Sequence, residues 1–216
     1  MSEEQEIERL VNEINMNIKY LHDPLKKINE NCVEQMVLHA ALLLNENDLY
    51  EELLDDLRKA YVHLIPKGDS DIQIDIYYCV RFYGSTRRKY WGADETRLSE
   101  GLKSLEKRIY FLRTGTNGGP GHYQLLYYSE GKWRIYSSPT NYYEVTDGQG
   151  NLTEVGKGRL LSKNAKWGPY QGQYEYTITS FDKDILKPLI RHIINIRLHG
   201  DIKAMELFKY SESYQD

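Results

Sequence analysis

The sequence predicts an α+β fold, with N-terminal helices packed on a C-terminal antiparallel sheet and a closing helix. Three observations predict it. Apolar residues recur at three- and four-residue steps near the start of the chain. From Ile72 the period changes to two. Beyond Gly121, short apolar–polar runs alternate with turn residues, which is the patterning of hairpins. At 216 residues and 25.4 kDa the chain fits one domain, residues 1–216, helical over about 1–66 and mixed or β-rich over about 67–216.

Ile7, Leu10, Val11, Ile14, Ile18 and Leu21 form one apolar stripe, so a first helix is expected up to the break at Asp23-Pro24. A second helix is expected from about Asn31-Cys32. It sets Cys32, Gln35, Met36 and His39 on one face and Val33, Val37, Ala40, Ala41 and Leu44 on a broad buried side. Asn29 and Asn31 are both candidate N-caps, because their side-chain oxygens accept from unpaired first-turn N–H groups. A third helix uses Leu49, Leu53, Leu54, Leu57 and Tyr61 and stops before Pro66-Lys67-Gly68. The alternation of Ile72, Ile74, Ile76, Tyr78, Val80 and Phe82 predicts a strand in which Cys79 is packing. Gly84 to Gly92 reads as a basic exposed loop, and Glu95 to Tyr110 as a charged amphipathic helix. Thr114 to Gly121, TGTNGGPG, is the clearest loop, with four glycines and a proline. HYQLLYY and KWRIYSS, separated by Ser129-Glu130-Gly131, predict a hairpin. NYYEVTD, a turn from Asp147-Gly148 to Asn151, and the strand YEYTITS follow. Ile185 to Leu198 closes the chain as a helix despite Pro188.

Composition excludes several function classes. Lysine and arginine total 28 against 32 acidic residues, a formal net charge of −4, where unspecific nucleic-acid binding needs a basic surface. No apolar run approaches the roughly 18 residues of a membrane span. The opening MSEEQEIERL is acidic where a secretory leader is basic and then apolar. Cys32 and Cys79 cannot build a disulfide framework and lack the paired spacing of a zinc site. A soluble protein in a reducing environment, without metal or cofactor, is expected. GTNGGPG is not a phosphate loop, because a strand follows it and no Lys-Ser/Thr does. Tyrosine is over-used, at 19 against 4 phenylalanines.

The chemistry centres on Cys32. At a helix start, unpaired N–H groups and the macrodipole favour the thiolate, the attacking form of cysteine. His122 follows the glycine-rich loop and opens a strand, so its imidazole belongs at a sheet end beside a segment that allows close backbone approach. If the hairpin turns near Glu130-Gly131, paired positions sum to 260 or 261. The first register sets Ser138 opposite His122, and the second makes Ser137 its diagonal neighbour. A hydroxyl there orients the ring as the third member of a triad does. Asn141 is a second candidate for that role, and His39, one turn beyond Gln35, is a rival base. The Cys32 N–H supplies one oxyanion donor, and a side-chain amide from Asn29, Asn31 or Gln35 supplies the other.

This order of a cysteine at a helix start, a histidine opening a strand and a polar residue on the next strand resembles the papain-like cysteine peptidases. In them the third residue commonly follows the histidine by about sixteen positions, as Ser138 follows His122 here. Many members carry Asn or Asp where this chain has Ser. Bacterial effector deubiquitinases that cleave Met1-linked ubiquitin with a Cys–His–Ser triad resemble it in that respect. GGPGHYQLLYYSEGKWRIYSSPTN also looks like the histidine hairpin of several such effectors. The resemblance covers the surroundings of Cys32 and residues 118–141. It implies a papain-like fold with Cys32 as nucleophile, His122 as general base and acid, and Ser138 as orienting residue. It further implies ubiquitin or polyubiquitin as substrate and delivery into a host cell cytoplasm. A ubiquitin tail ending in two glycines needs a narrow slot, for which Gly118, Gly119, Gly121 and Trp91 are the candidates, with Trp133 and Trp167 as further walls and Asp94 or Glu95 to meet arginine. The same Cys–His pair also suits a papain-like acyltransferase, transglutaminase or deamidase. The tyrosines alone suit a non-enzymatic interaction domain.

Overall fold

Helix periodicity and strand alternation sort the apolar residues into two cores, one on each face of a single sheet. The computed structural model describes residues 5–11, 28, 31–62, 87–91, 95–115, 121–137, 141–160 and 175–199. Residues 5–11 are helical. The elements that follow are α1 (Cys32–Leu43), α2 (Asn47–Tyr61), β1 (Arg87–Trp91), α3 (Glu95–Ser104), β2 (Ile109–Gly115), β3 (Gly121–Ser129), β4 (Lys132–Ser137), β5 (Asn141–Glu144), α4 (Glu154–Leu160), β6 (Glu175–Ser180) and, after a 3₁₀ turn at Lys183–Ile185, α5 (Leu186–His199). All pairings are antiparallel, in the order β1-β6-β2-β3-β4-β5. The expected α+β arrangement of helices, antiparallel sheet and closing helix is what the chain adopts.

The first core joins α1, α2 and α5 to one sheet face. Val33, Met36, Val37 and Ala40 of α1 meet Phe111, Tyr123, Leu125, Tyr127 and Tyr136, while Leu53 and Leu57 of α2 and Leu189, Ile190 and Ile193 of α5 close over them. The second core lies on the other face, where Leu98 and Leu102 of α3 and Leu160 of α4 cover Leu112, Leu126, Trp133, Ile135 and Ile178. Neighbouring residues such as Leu125 and Leu126 therefore serve opposite cores, as strand alternation requires. Pro188 falls in the first turn of α5, where a missing N–H costs no helical bond.

Three expectations change. Arg87 to Trp91 is not a loop but the edge strand β1, paired with β6. Edge strands tolerate charge, so RRKYW suits that place. The helix from Glu95 ends at Ser104, and Ile109–Gly115 is a strand near the centre of the sheet. Thr114, Gly115 and Gly121 accordingly belong to β2 and β3, and the rest of the expected loop, 116–120, lies outside the described residues. The expected strand over 72–82, with Cys79, lies outside the described residues.

Among the described residues, several tyrosines are interior. Tyr61, Tyr110, Tyr123, Tyr127 and Tyr136 are all buried and serve the two cores, while Tyr142 is exposed. Among the described residues, no helix is long and apolar enough to cross a membrane.

Candidate active site

Glu130 and Gly131 both have positive φ, at 51° and 79°, and form a two-residue turn whose twist suits the flanking strands. Ser129 pairs with Lys132 and Leu125 with Tyr136, so partners sum to 261. One further step of that register sets Ser137 beside Gln124, on the same face as His122 and diagonal to it. The ring and the hydroxyl meet there, with His122 Nε2 and Ser137 Oγ 2.8 Å apart. Ser137 is buried and His122 partly so. Of the two registers open in the sequence, the fold takes the one that selects Ser137. Ser138 lies outside the described residues, as do Asn29, Gly118 and Gly119.

Cys32 is the first residue of α1, as its place behind Asn31 predicts; it is in no disulfide among the described residues and is partly exposed at the margin of the first core. Three contacts fix where that helix start lies. His39 of α1 stacks on Tyr136 at 3.8 Å, and Tyr136 is level with Leu125 of β3. Lys183, beyond the far end of β6, meets Glu46, beyond the C-terminus of α1. Arg197, near the end of α5, meets Glu34 in the first turn of α1. α1 therefore begins at the end of the sheet where β3 begins. From His39 back to Cys32 is about 10 Å of helix, and from Leu125 back to His122 is about 10 Å of strand. Thiol and imidazole thus belong to one level of the molecule. Alternation assigns His122 to the face away from the body of α1, so any approach of the two runs round the end of the sheet, not through it.

Asn31 occupies the N-cap position, yet its side chain makes no capping hydrogen bond and is buried. Its amide is not spent on the helix. Gln35 is committed elsewhere, because its Nε2 donates to the Ile28 carbonyl at 3.2 Å. Thr114 and Gln124, which the sequence reading passed over, form a buried polar pair beside the His122–Ser137 contact, with Gln124 Nε2 donating to Thr114 Oγ1 at 3.2 Å. The polar positions 122 and 124, two apart in a buried strand, were the available signal. Among the described residues, no cluster of His, Cys, Asp and Glu gathers that could hold a metal ion.

The other candidates divide: Gly121 and Asn141 adjoin this site, and Trp91 lies in the cross-sheet row of Gly121, whereas Trp133 and Glu95 stand elsewhere. Trp133 is buried in the second core and donates its Nε1–H to the Leu102 carbonyl at 3.1 Å, so it walls no slot. Trp91 ends β1 opposite Glu175, and Gly121 opens β3 opposite Gly115. Asn141 stands across β4–β5 from Ser137. Glu95 starts α3 and pairs with Lys157 at 3.0 Å. Trp167 and Asp94 lie outside the described residues.

His39 is a clamp and not a rival base. Its ring stacks on Tyr136, and its Nδ1 shares a 3.1 Å hydrogen bond with the Tyr142 hydroxyl, which ties α1 to β4 and β5. Burial pulls its pKa from 6.5 down to about 4. The unfolded chain takes up this proton near pH 6.5 and the folded chain only near 4. Stability from this group is therefore full above about pH 6.5 and declines as the pH falls towards 4. Urea titrations at pH 7 and pH 4.5 are expected to show a smaller acid loss for His39→Gln than for the wild type. An equal loss would mean the ring is solvated.

No protein-family model matches the sequence, and no curated protein does. Among solved structures the fold matches the crystal structure of RavD (residues 1–200) from Legionella pneumophila strain Corby, with 29% identity and a TM-score of 0.55. The chain resembles RavD. The match covers 82% of this chain and 93% of that one, so likeness to RavD extends over most of the chain and is not confined to one motif.

Proposed function

We propose that this chain is a papain-like cysteine deubiquitinase that hydrolyses ubiquitin chains, with Met1-linked chains as the preferred substrate. The observation that carries the proposal is the 2.8 Å contact of His122 Nε2 with Ser137 Oγ, at the sheet end where α1 begins with Cys32. When Ser137 accepts the Nε2 proton, Nδ1 becomes the basic nitrogen, suited to exchange a proton with a thiol. Cys32 attacks the carbonyl of the ubiquitin C-terminal glycine. The oxyanion is held by the Cys32 N–H and by an amide, for which the uncommitted Asn31 is favoured over Asn29 and Gln35. His122 then protonates the leaving amine, and water, deprotonated by the same ring, releases the acyl-enzyme. The choice of ubiquitin, and of the Met1 linkage, is supported by the resemblance of the cysteine, histidine and serine pattern to effector deubiquitinases, together with the likeness to RavD.

The orienting role is assigned to Ser137 in place of its neighbour Ser138. Ser137→Ala is expected to lower kcat on Met1-linked di-ubiquitin by about fivefold, since a neutral hydrogen bond contributes on the order of 1 kcal/mol. Ser138→Ala is expected to stay within about twofold of the wild type on that reasoning. The reverse ranking would return the role to Ser138.

A further inference from the structure

The first turn of α1 carries a buried charge pair that the proposed chemistry does not use. Glu34, two residues after Cys32, accepts from Arg197 Nε at 2.6 Å and from its Nη2 at 2.8 Å, and the Tyr61 phenol donates to it at 2.9 Å. Glu34 and Arg197 are both fully buried. Burial, and then the Glu34 carboxylate, hold the Tyr61 phenol far above its usual range, so it remains a donor. A glutamate at this helix position ordinarily reaches back to cap its own helix. Here it is turned inward and fastened to α5 through Arg197 and to α2 through Tyr61.

The electrostatic consequence follows from sign. A bare carboxylate in the first turn would oppose a thiolate at Cys32. Bidentate contact with a guanidinium makes the pair nearly neutral and leaves the helix N-terminus as the dominant local field. Among the described residues, the charged and titratable groups that the contacts place at this turn are Glu34 on α1, Tyr61 from α2 and Arg197 from α5. We infer that Arg197 is a positioning residue for Cys32, holding Glu34 in place and cancelling its charge so that the start of α1 stays fixed and favours the thiolate. This inference rests on reading Cys32 as the nucleophile.

The test is alkylation of Cys32 by iodoacetamide across pH, located by peptide mass so that Cys79 is scored separately, with folding checked by circular dichroism. Arg197→Met is expected to raise the alkylation midpoint and Glu34→Gln to lower it, each by about one pH unit. The Glu34→Gln/Arg197→Met double variant is expected to return to the wild-type midpoint, and Arg197→Lys, which keeps the charge, to stay near it. If Arg197→Met does not fold, the isosteric Glu34→Gln still tests the sign. Coincident midpoints in all folded variants would overturn the inference and leave the pair as a purely structural tie. Cleavage of di-ubiquitin, measured in parallel, separates the two claims. Opposed midpoint shifts in a protein that cleaves nothing retain the charge balance and remove the deubiquitinase reading. Full cleavage with immobile midpoints does the opposite.

Discussion

Replacing Cys32 by alanine is expected to abolish cleavage of Met1-linked di-ubiquitin, a loss on the order of 10⁵-fold or more in kcat. His122→Ala is expected to cost nearly as much, because nucleophile and base act as one unit. The same reasoning predicts that the Cys32→Ala/His122→Ala double variant is no worse than Cys32→Ala alone. Thermal melts of the alanine variants should stay close to the wild type, since Cys32 and His122 are both only partly buried. Cleavage that persists in Cys32→Ala would remove the thiol mechanism outright. Activity that survives in His122→Ala would mean that another group serves as base, and the contact with Ser137 would then be a tie between strands.

The largest stability loss is expected at Arg197. Its guanidinium is fully buried and spends Nε and Nη2 on the Glu34 carboxylate. Arg197→Ala removes the partner and leaves a buried carboxylate with the Tyr61 phenol as its remaining tie among these contacts. Breaking such a pair costs about 3–5 kcal/mol, a large part of the 5–15 kcal/mol that typically separates folded from unfolded domains. The midpoint of urea unfolding should therefore fall steeply. Replacing both partners together, as Glu34→Met/Arg197→Met, is expected to cost much less, because well-packed apolar groups need no desolvation offset. A loss below about 1 kcal/mol for Arg197→Ala would show that water reaches the site and that the pair behaves as a surface ion pair.

How much of this was legible in the sequence differs from residue to residue, for physical reasons. The helix beginning at Cys32, the hairpin around Glu130-Gly131 and the closing helix carry local signals, namely periodicity, turn chemistry and an N-cap residue, and the fold has them where the sequence predicts. β2 was hidden because a strand near the centre of the sheet buries both faces. Phe111 and Leu112 are adjacent and both buried, so IYFLRTG shows no alternation and extends the apolar pattern of the helix before it. β1 was hidden by its charges, which are typical of an edge. The choice between Ser137 and Ser138 hung on a single unit of hairpin register, which turn geometry decides and composition does not. Glu34 and Arg197 stand 163 residues apart, and only the packing of α5 against α1 brings them together.

The central claim is that Cys32, activated by His122, attacks the C-terminal carbonyl of ubiquitin, and a covalent trap addresses it most directly. Ubiquitin carrying a C-terminal alkyne electrophile is mixed with the protein, and the adduct is mapped by mass. Modification on Cys32, absent from Cys32→Ala and much slower in His122→Ala, is the predicted result. No adduct, or one on Cys79, would contradict it.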